Sequence, residues 1–316
     1  MEIFVKNLNL KHKEGVIMNL TTIARDFDYE LPLFYKEKHS FNNIEALDSR
    51  FCVVLITNGT GVLTVNQNKF IFRAPCVLCI NEKEHMVIEE QSDFDFQIIY
   101  FHPSVINSAL NFETIRNLPE NAPITLYQDS YWNKFFLTRS ENYHGIISIG
   151  PMTMKRLTLL YANLNNEISN QNRENWPCRS RSYFLEILFT IDNVSIEEIS
   201  LEEPLLLQVN EDFAPILLYL YNNYDQKITV EDITTKFNIN RTTLSKMFRD
   251  NVNDTFISFL NKLRISIAAQ LLRDTKLPIS EIMYRVGMND SVHFLRTFKK
   301  YTELSPSEYR KKYCWM

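Results

Sequence analysis

The sequence predicts an α+β protein: a strand-rich first part, a helical middle, and an all-helical end that carries one pattern twice. Three observations predict it. The first part, up to about residue 105, alternates short β-branched and apolar runs with turn residues. From Pro151 onward apolar residues recur at three and four. Near the C-terminus, Ile233–Arg249 aligns with Ile282–Lys299.

In the first part, Phe51–Thr57 is β-branched and apolar, Asn58–Gly61 is a turn, and Val62–Val65 continues as a strand. A second turn at Asn66–Asn68 leads to Phe70–Phe72 and Val77–Ile80, and Val87–Glu90 and Phe94–Phe101 follow as further strands. Short strands at this spacing suggest a small barrel or sandwich. The chain has six glycines, two of them in one hairpin, where they serve a tight bend. Residues 1–150 are assigned to this unit.

Residues 151–194 read as helical. Met154, Leu157, Tyr161, Leu164 and Ile168 form one stripe; Tyr183, Ile187 and Ile191 form a second on a shorter helix; polar Asn165–Trp176 lies between them. The stripe fits two arrangements, packing on the β unit or forming a subunit interface. Acidic 195–212, with Pro204, reads as a linker.

In 213–316, Ile233 matches Ile282, Phe237 matches Val286, Asn238 matches Gly287, Ile239 matches Met288 and Asn240 matches Asn289. After a one-residue insertion in the second copy, Leu244 matches Phe294, Lys246 matches Arg296, Phe248 matches Phe298 and Arg249 matches Lys299. Asn238 and Gly287 tolerate the left-handed backbone that a tight interhelical turn needs. Thr229–Asp232 is a capping-box pattern, and Ser305–Glu308 opens the last helix with Pro306 at its first position. Thr255–Arg273 reads as one connecting helix, about 27 Å long at 1.5 Å per residue. That length suits two recognition helices about 34 Å apart, one turn of DNA.

The charge agrees with double-stranded DNA as partner. The whole chain is −4, yet residues 214–316 hold 16 Lys/Arg against 10 Asp/Glu. Base edges fall to residues early on each recognition helix: Arg241, Thr242, Ser245 and Lys246, then Ser291, Val292, His293 and Arg296. Thr243, Thr297 and Asp290 also count as outward; Asp290 repels phosphate and either caps the helix or accepts from cytosine. Arg249, Lys299 and Lys300 lie later and suit phosphate.

Other chemistries find little support. Five sparse cysteines suit free thiols in a reducing cytoplasm. Cys76 and Cys79 form a C-x-x-C without a second pair and read as core thiols rather than a zinc or redox site. His39, His85 and His102 are scattered without a paired-histidine motif. No catalytic residue, metal or cofactor is assigned. No apolar run is long enough for a membrane span, and Met1–Leu20 lacks a signal-peptide core. Phe51, Val53, Leu55, Phe72 and His85 are the candidates for lining a ligand site in the β unit, and they read equally well as core.

Residues 214–313 resemble the DNA-binding domain of the AraC/XylS family of bacterial transcription regulators. The resemblance rests on Ile279–Ile282, Val286-Gly287, His293-Phe294, Arg296, Phe298–Thr302 and Ser305–Arg310, with Leu244-Ser245, Phe248, Phe259-Leu260 and Leu263–Ile265 from the first copy. It implies seven helices, an N-terminal cupin-like barrel that binds an effector, helices for a homodimer, and RNA polymerase as a partner. Two departures stand out: Thr234 and Met283 replace a customary small residue, and Met288 replaces an aromatic. The expected function is a cytoplasmic, effector-responsive activator. The alternatives are the same type of regulator governed by a protein partner or by abundance, or an enzyme with a DNA-binding appendage.

Overall fold

A computed structural model describes residues 20–38, 50–65, 68–84, 86–90, 95–140, 143–198 and 212–314. Ten strands come first: β1 (Thr22–Ile23), β2 (Glu30–Leu31), β3 (Leu33–Lys38), β4 (Phe51–Asn58), β5 (Thr60–Val65), β6 (Asn68–Arg73), β7 (Cys76–Ile80), β8 (Met86–Glu90), β9 (Asp95–Phe101) and β10 (Ile146–Ser148). They form a five-stranded sheet in the order β10-β7-β4-β9-β3, a three-stranded sheet β6-β5-β8 and the pair β1-β2, all antiparallel. Two short helices, α1 (Ile124–Ser130) and α2 (Lys134–Leu137), interrupt the run before β10.

Side-chain alternation explains how the five-stranded sheet is covered on both faces. Cys52, Val54 and Ile56 of β4, with Phe96, Ile98 and Tyr100 of β9, share a core with Leu63, Phe70 and Phe72 of the three-stranded sheet. Phe51, Val53, Leu55, Ile99 and Phe101 point the other way, into a core with the two helices that follow. Phe51, Val53 and Leu55 therefore face helices, and of the described ligand-lining candidates only Phe72 lies between the sheets. His39, His85 and most of the expected linker lie outside the described residues. Cys76 and Cys79 fall on opposite faces of β7, so their sulfurs cannot share one ligand. Burial pushes the Cys79 thiol up to about 12.

Helices α3 (Pro151–Asn170) and α4 (Trp176–Glu198) form the middle layer. Helix α3 spans the expected stripe through Ile168 and ends on Gln171 at φ +50°, whereas α4, expected to be the shorter helix, is the longer. Helix α4 has 23 residues and runs into the segment read as linker. Leu157, Tyr161 and Leu164 are wholly buried within this chain against β strands and α4. Their stripe is intramolecular core, which corrects the interface alternative for those side chains.

The remainder is helical: α5 (Ala214–Asn223), α6 (Val230–Lys236), α7 (Arg241–Val252), α8 (Phe256–Asp274), α9 (Ile279–Arg285), α10 (Ser291–Thr302) and α11 (Pro306–Tyr313). Among the described residues no helix is long and apolar enough to cross a membrane. This helical part is docked on the first part at two places. Val62 and Ile71 of the three-stranded sheet join its core beside α5, where Thr60 donates to Asn222 Oδ1 at 3.0 Å and Arg73 donates to Tyr224 Oη at 3.3 Å. At the far end of α8, Gln270 donates to Ser148 Oγ (2.7 Å) and Thr153 donates to Asp274 Oδ2 (3.3 Å). Buried Asp274, paired with Arg273 at 3.0 Å, sits against Gly150, the N-cap of α3, which has no side-chain cap of its own. A carboxylate there complements the positive end of a 20-residue helix.

Candidate nucleic-acid interface

The two repeated units close with the same hydrogen bonds. In the first, α6 ends at Lys236, Asn238 takes φ +52°, and Ile239 N donates to Thr234 O at 3.0 Å. In the second, α9 ends at Arg285, Gly287 takes φ +73°, and Met288 N donates to Met283 O at 3.0 Å. The inner bonds correspond too: Asn238 N to Thr235 O and Gly287 N to Tyr284 O. This is the left-handed Schellman closure of a helix, made twice. Gly287 has a second constraint: a Cβ there would lie 2.5 Å from the Asp225 carbonyl oxygen. The two departures are absorbed without disturbing the turn. Met283 and Met288 are both buried, filling the contact that accompanies this closure, while the Thr234 hydroxyl donates to Glu231 O.

Each turn delivers a recognition helix with a side-chain cap. Asn240 accepts from Thr243 N at 2.7 Å and opens α7; Asp290 accepts from His293 N at 2.9 Å and opens α10. The one-residue insertion thus falls at Asn289, ahead of the cap, and Asp290 rather than Asn289 is the counterpart of Asn240. The bond from His293 N, above all, holds the Asp290 carboxyl below the usual carboxylate range. Thr229 and Ser305 head capping boxes with Asp232 and Glu308, as the sequence indicates. Both recognition helices end on left-handed residues, Asn253 and Glu303. Leu244 and Phe248 anchor α7, Phe294 and Phe298 anchor α10, and Phe248 stacks edge-on with Phe213, Phe256 and Phe259.

With these anchors buried, helical periodicity sets the outward face. On α7 its centre is Thr242, Ser245, Lys246 and Arg249, all exposed. Arg241 is exposed but off centre, and its guanidinium pairs with Glu231 of α6. On α10 the centre is Val292, Leu295, Arg296 and Lys299. Ser291 flanks this face, while His293 and Lys300 turn aside to line a cleft of about 270 Å³ with Ser258, Asn261 and Tyr301. Thr297, expected outward, is buried beside Phe298 because it falls on the inward side of the helix; Thr243 is half-buried. Leu295 escaped the sequence reading; its place three residues after Val292, which that reading placed outward, was the available signal.

Two helix-turn-helix units, joined by one helix and each presenting a basic polar face, define a bipartite DNA-binding module. The Helix-turn-helix domain family matches residues 233–312. The chain is 30% identical over 167 residues to the lactose operon transcription activator of Staphylococcus xylosus, covering 53% of this chain and 58% of the relative. It is 23% identical over 313 residues to the transcriptional activator RhaR of Mannheimia succiniciproducens, covering 97% and 98%. The C-terminal domain of AraT, a response regulator from Geobacillus stearothermophilus, is 31% identical over 34% of this chain and 91% of that one, with a TM-score of 0.33. Residues 233–312 thus carry a helix-turn-helix domain of the kind found in AraC/XylS-type transcription regulators. Relatives in this set are regulators, not enzymes. The alignment spans little more than half the length of the staphylococcal activator.

Proposed function

We propose that the protein binds a specific double-stranded DNA site through both units and activates transcription of an adjacent operon. The observation that carries this is the duplication of the whole device: the same turn bonds, an equivalent side-chain cap and an exposed face with two equivalent cations at α7 and α10. The two relatives are named as activators, one of a lactose operon, and these names support the direction of control. The division of labour follows the sequence reading: residues 1–150 form a cupin-like sensing unit, 151–194 support self-association, 195–212 link, and 213–316 bind DNA. The setting is the cytoplasm, with RNA polymerase as the partner that activation requires.

Self-association uses the outward side of α3, where Leu159 stands 61% exposed, since the Leu157 row is already covered. For the sensing unit, a small-molecule effector is the first reading. The second, control by a protein partner or by abundance, is favoured by one observation: Phe70, Phe72, Phe96 and Tyr100 of this chain already occupy the space between the sheets.

The test is titration of the full chain against its own upstream duplex and a scrambled duplex at several salt concentrations. Specific binding with a negative slope of log affinity against log salt is expected, and Lys299→Ala shallows that slope by about one unit. Salt-independent binding, or equal affinity for both duplexes, refutes the reading.

A further inference from the structure

Val292 and Leu295 stand 63% and 47% exposed at the centre of the α10 face, outside the buried core. They lie three residues apart, so they stack along one side of the helix. Arg296 follows Val292 by four positions and Lys299 follows Leu295 by four, which rims the apolar pair with cations on the same face. The equivalent places on α7 are Thr242 and Ser245, with Lys246 and Arg249 in the roles of Arg296 and Lys299. At these four positions the two units share the cations but differ in the other pair: two hydroxyls in the first stand where two aliphatic groups stand in the second.

An aliphatic side chain at the centre of a helix seated in the major groove has one apolar feature to meet there, the 5-methyl group of thymine. We infer that α10 reads thymines through Val292 and Leu295, beside a purine edge met by Arg296, whereas α7 reads by hydrogen bonds alone. The geometry suits this division. Val292 lies in the first turn of α10, the part that enters the groove deepest, and Leu295 lies one turn further along the same face. Cations on the rim draw the phosphates to either side and bring the aliphatic pair onto the base edges. Exposed in the free protein, both side chains lose water contact only when the groove closes on them, so the gain is realised on binding.

The inference rests on the DNA-binding reading above and is separable from it by experiment. Duplexes are selected by the full chain from a random-sequence library, and each thymine of a selected duplex is replaced singly by uracil, which lacks only the methyl group. Thymines under α10 should show about fourfold weaker binding per methyl removed. These positions should cluster in one half of the protected site. Val292→Ala with Leu295→Ala should weaken the parent duplex and abolish the uracil effect, and Leu295→Met should retain it. Thr242→Ala with Ser245→Ala should lower affinity while leaving the uracil effect in place. Uracil indifference at every position, or a uracil effect that survives in the Val292/Leu295 double variant, overturns the inference while DNA binding stands. Retention of no duplex at all overturns both.

Discussion

Gly287 gives a sharp test of how the second unit is built. Its backbone is left-handed at φ +73°, and an added Cβ would meet Asp225 backbone atoms at 2.5, 2.7 and 2.9 Å. Asn238 holds the same place in the first unit at φ +52°. Alanine at Asn238 therefore carries one penalty, the left-handed conformation of an L-residue, about 1–2 kcal/mol. Alanine at Gly287 carries that penalty plus displacement of the α5–α6 loop backbone, which overpacking elsewhere puts at about 1–3 kcal/mol. The second cost cannot be relieved by rotating a side chain, since the obstacle is main chain. Arg264 of α8 also donates to Tyr224 O at 2.8 Å and Gln226 O at 2.7 Å, holding the loop in place. Gly287→Ala should thus cost about 2–5 kcal/mol. Chemical denaturation followed by far-ultraviolet dichroism, with both variants side by side, measures the difference. Equal stability of the two alanine variants would refute the argument that the Asp225 backbone constrains this position.

Three further outcomes follow from the same structure. Lys246→Ala should cost about 1–3 kcal/mol of specific affinity and leave scrambled-duplex binding nearly intact, Arg241→Ala should behave likewise once its pair with Glu231 yields to the groove, and His293→Ala should cost less than either; competition binding on the two duplexes decides the order. Gly150→Ala has an ordinary backbone, yet its Cβ would fall 1.7 Å from Asp274 Oδ2, so it should loosen the docking of α8 on α3; proteolysis should accelerate, and adding Asp274→Gly should relieve most of the effect. Leu157→Asp with Leu164→Asp should unfold the first part, both side chains being wholly buried, whereas Leu159→Asp should give a folded monomer in sedimentation; an unchanged dimer from the latter would place the contact elsewhere.

The C-terminal module was legible because its determinants are local. Left-handed residues at Asn238 and Gly287, caps at Thr229, Asp290 and Ser305, and apolar anchors four apart each follow from chemistry within a few positions. Within the β part, strands with β-branched and apolar runs such as β4 and β9 could be read directly. Strand β10, three residues between glycine-containing turns, could not, and polar-rich β3 owes its place to pairing with β9. Periodicity also identified the α3 stripe without its partner. A 3.6-residue repeat reports that one face is covered; it carries no information on whether the cover is the same chain or another. The same limit applied to α10. Val292 was legible there from its place in the first turn, whereas Leu295, one turn further on, looked like an apolar residue of a packed face although its position satisfied the geometry.

The docking contacts join these parts into one mechanical argument. Helix α8 carries α7's unit at its N-terminal end and α9–α10 at its C-terminal end, so it sets the spacing of the two reading faces. Its last residue, Asp274, is buried at the N-terminus of α3, and its penultimate turn reaches Ser148 of β10 through Gln270. The helix that spaces the two units is therefore held directly by the layer that covers the five-stranded sheet. A change within that layer has a short path to the recognition helices: any displacement of the α3 N-terminus must either move Asp274, and α8 with it, or break a buried carboxylate contact. Breaking such a contact costs on the order of several kcal/mol. Gly150, where any side chain would collide with that carboxylate, is the point at which this coupling is most readily cut.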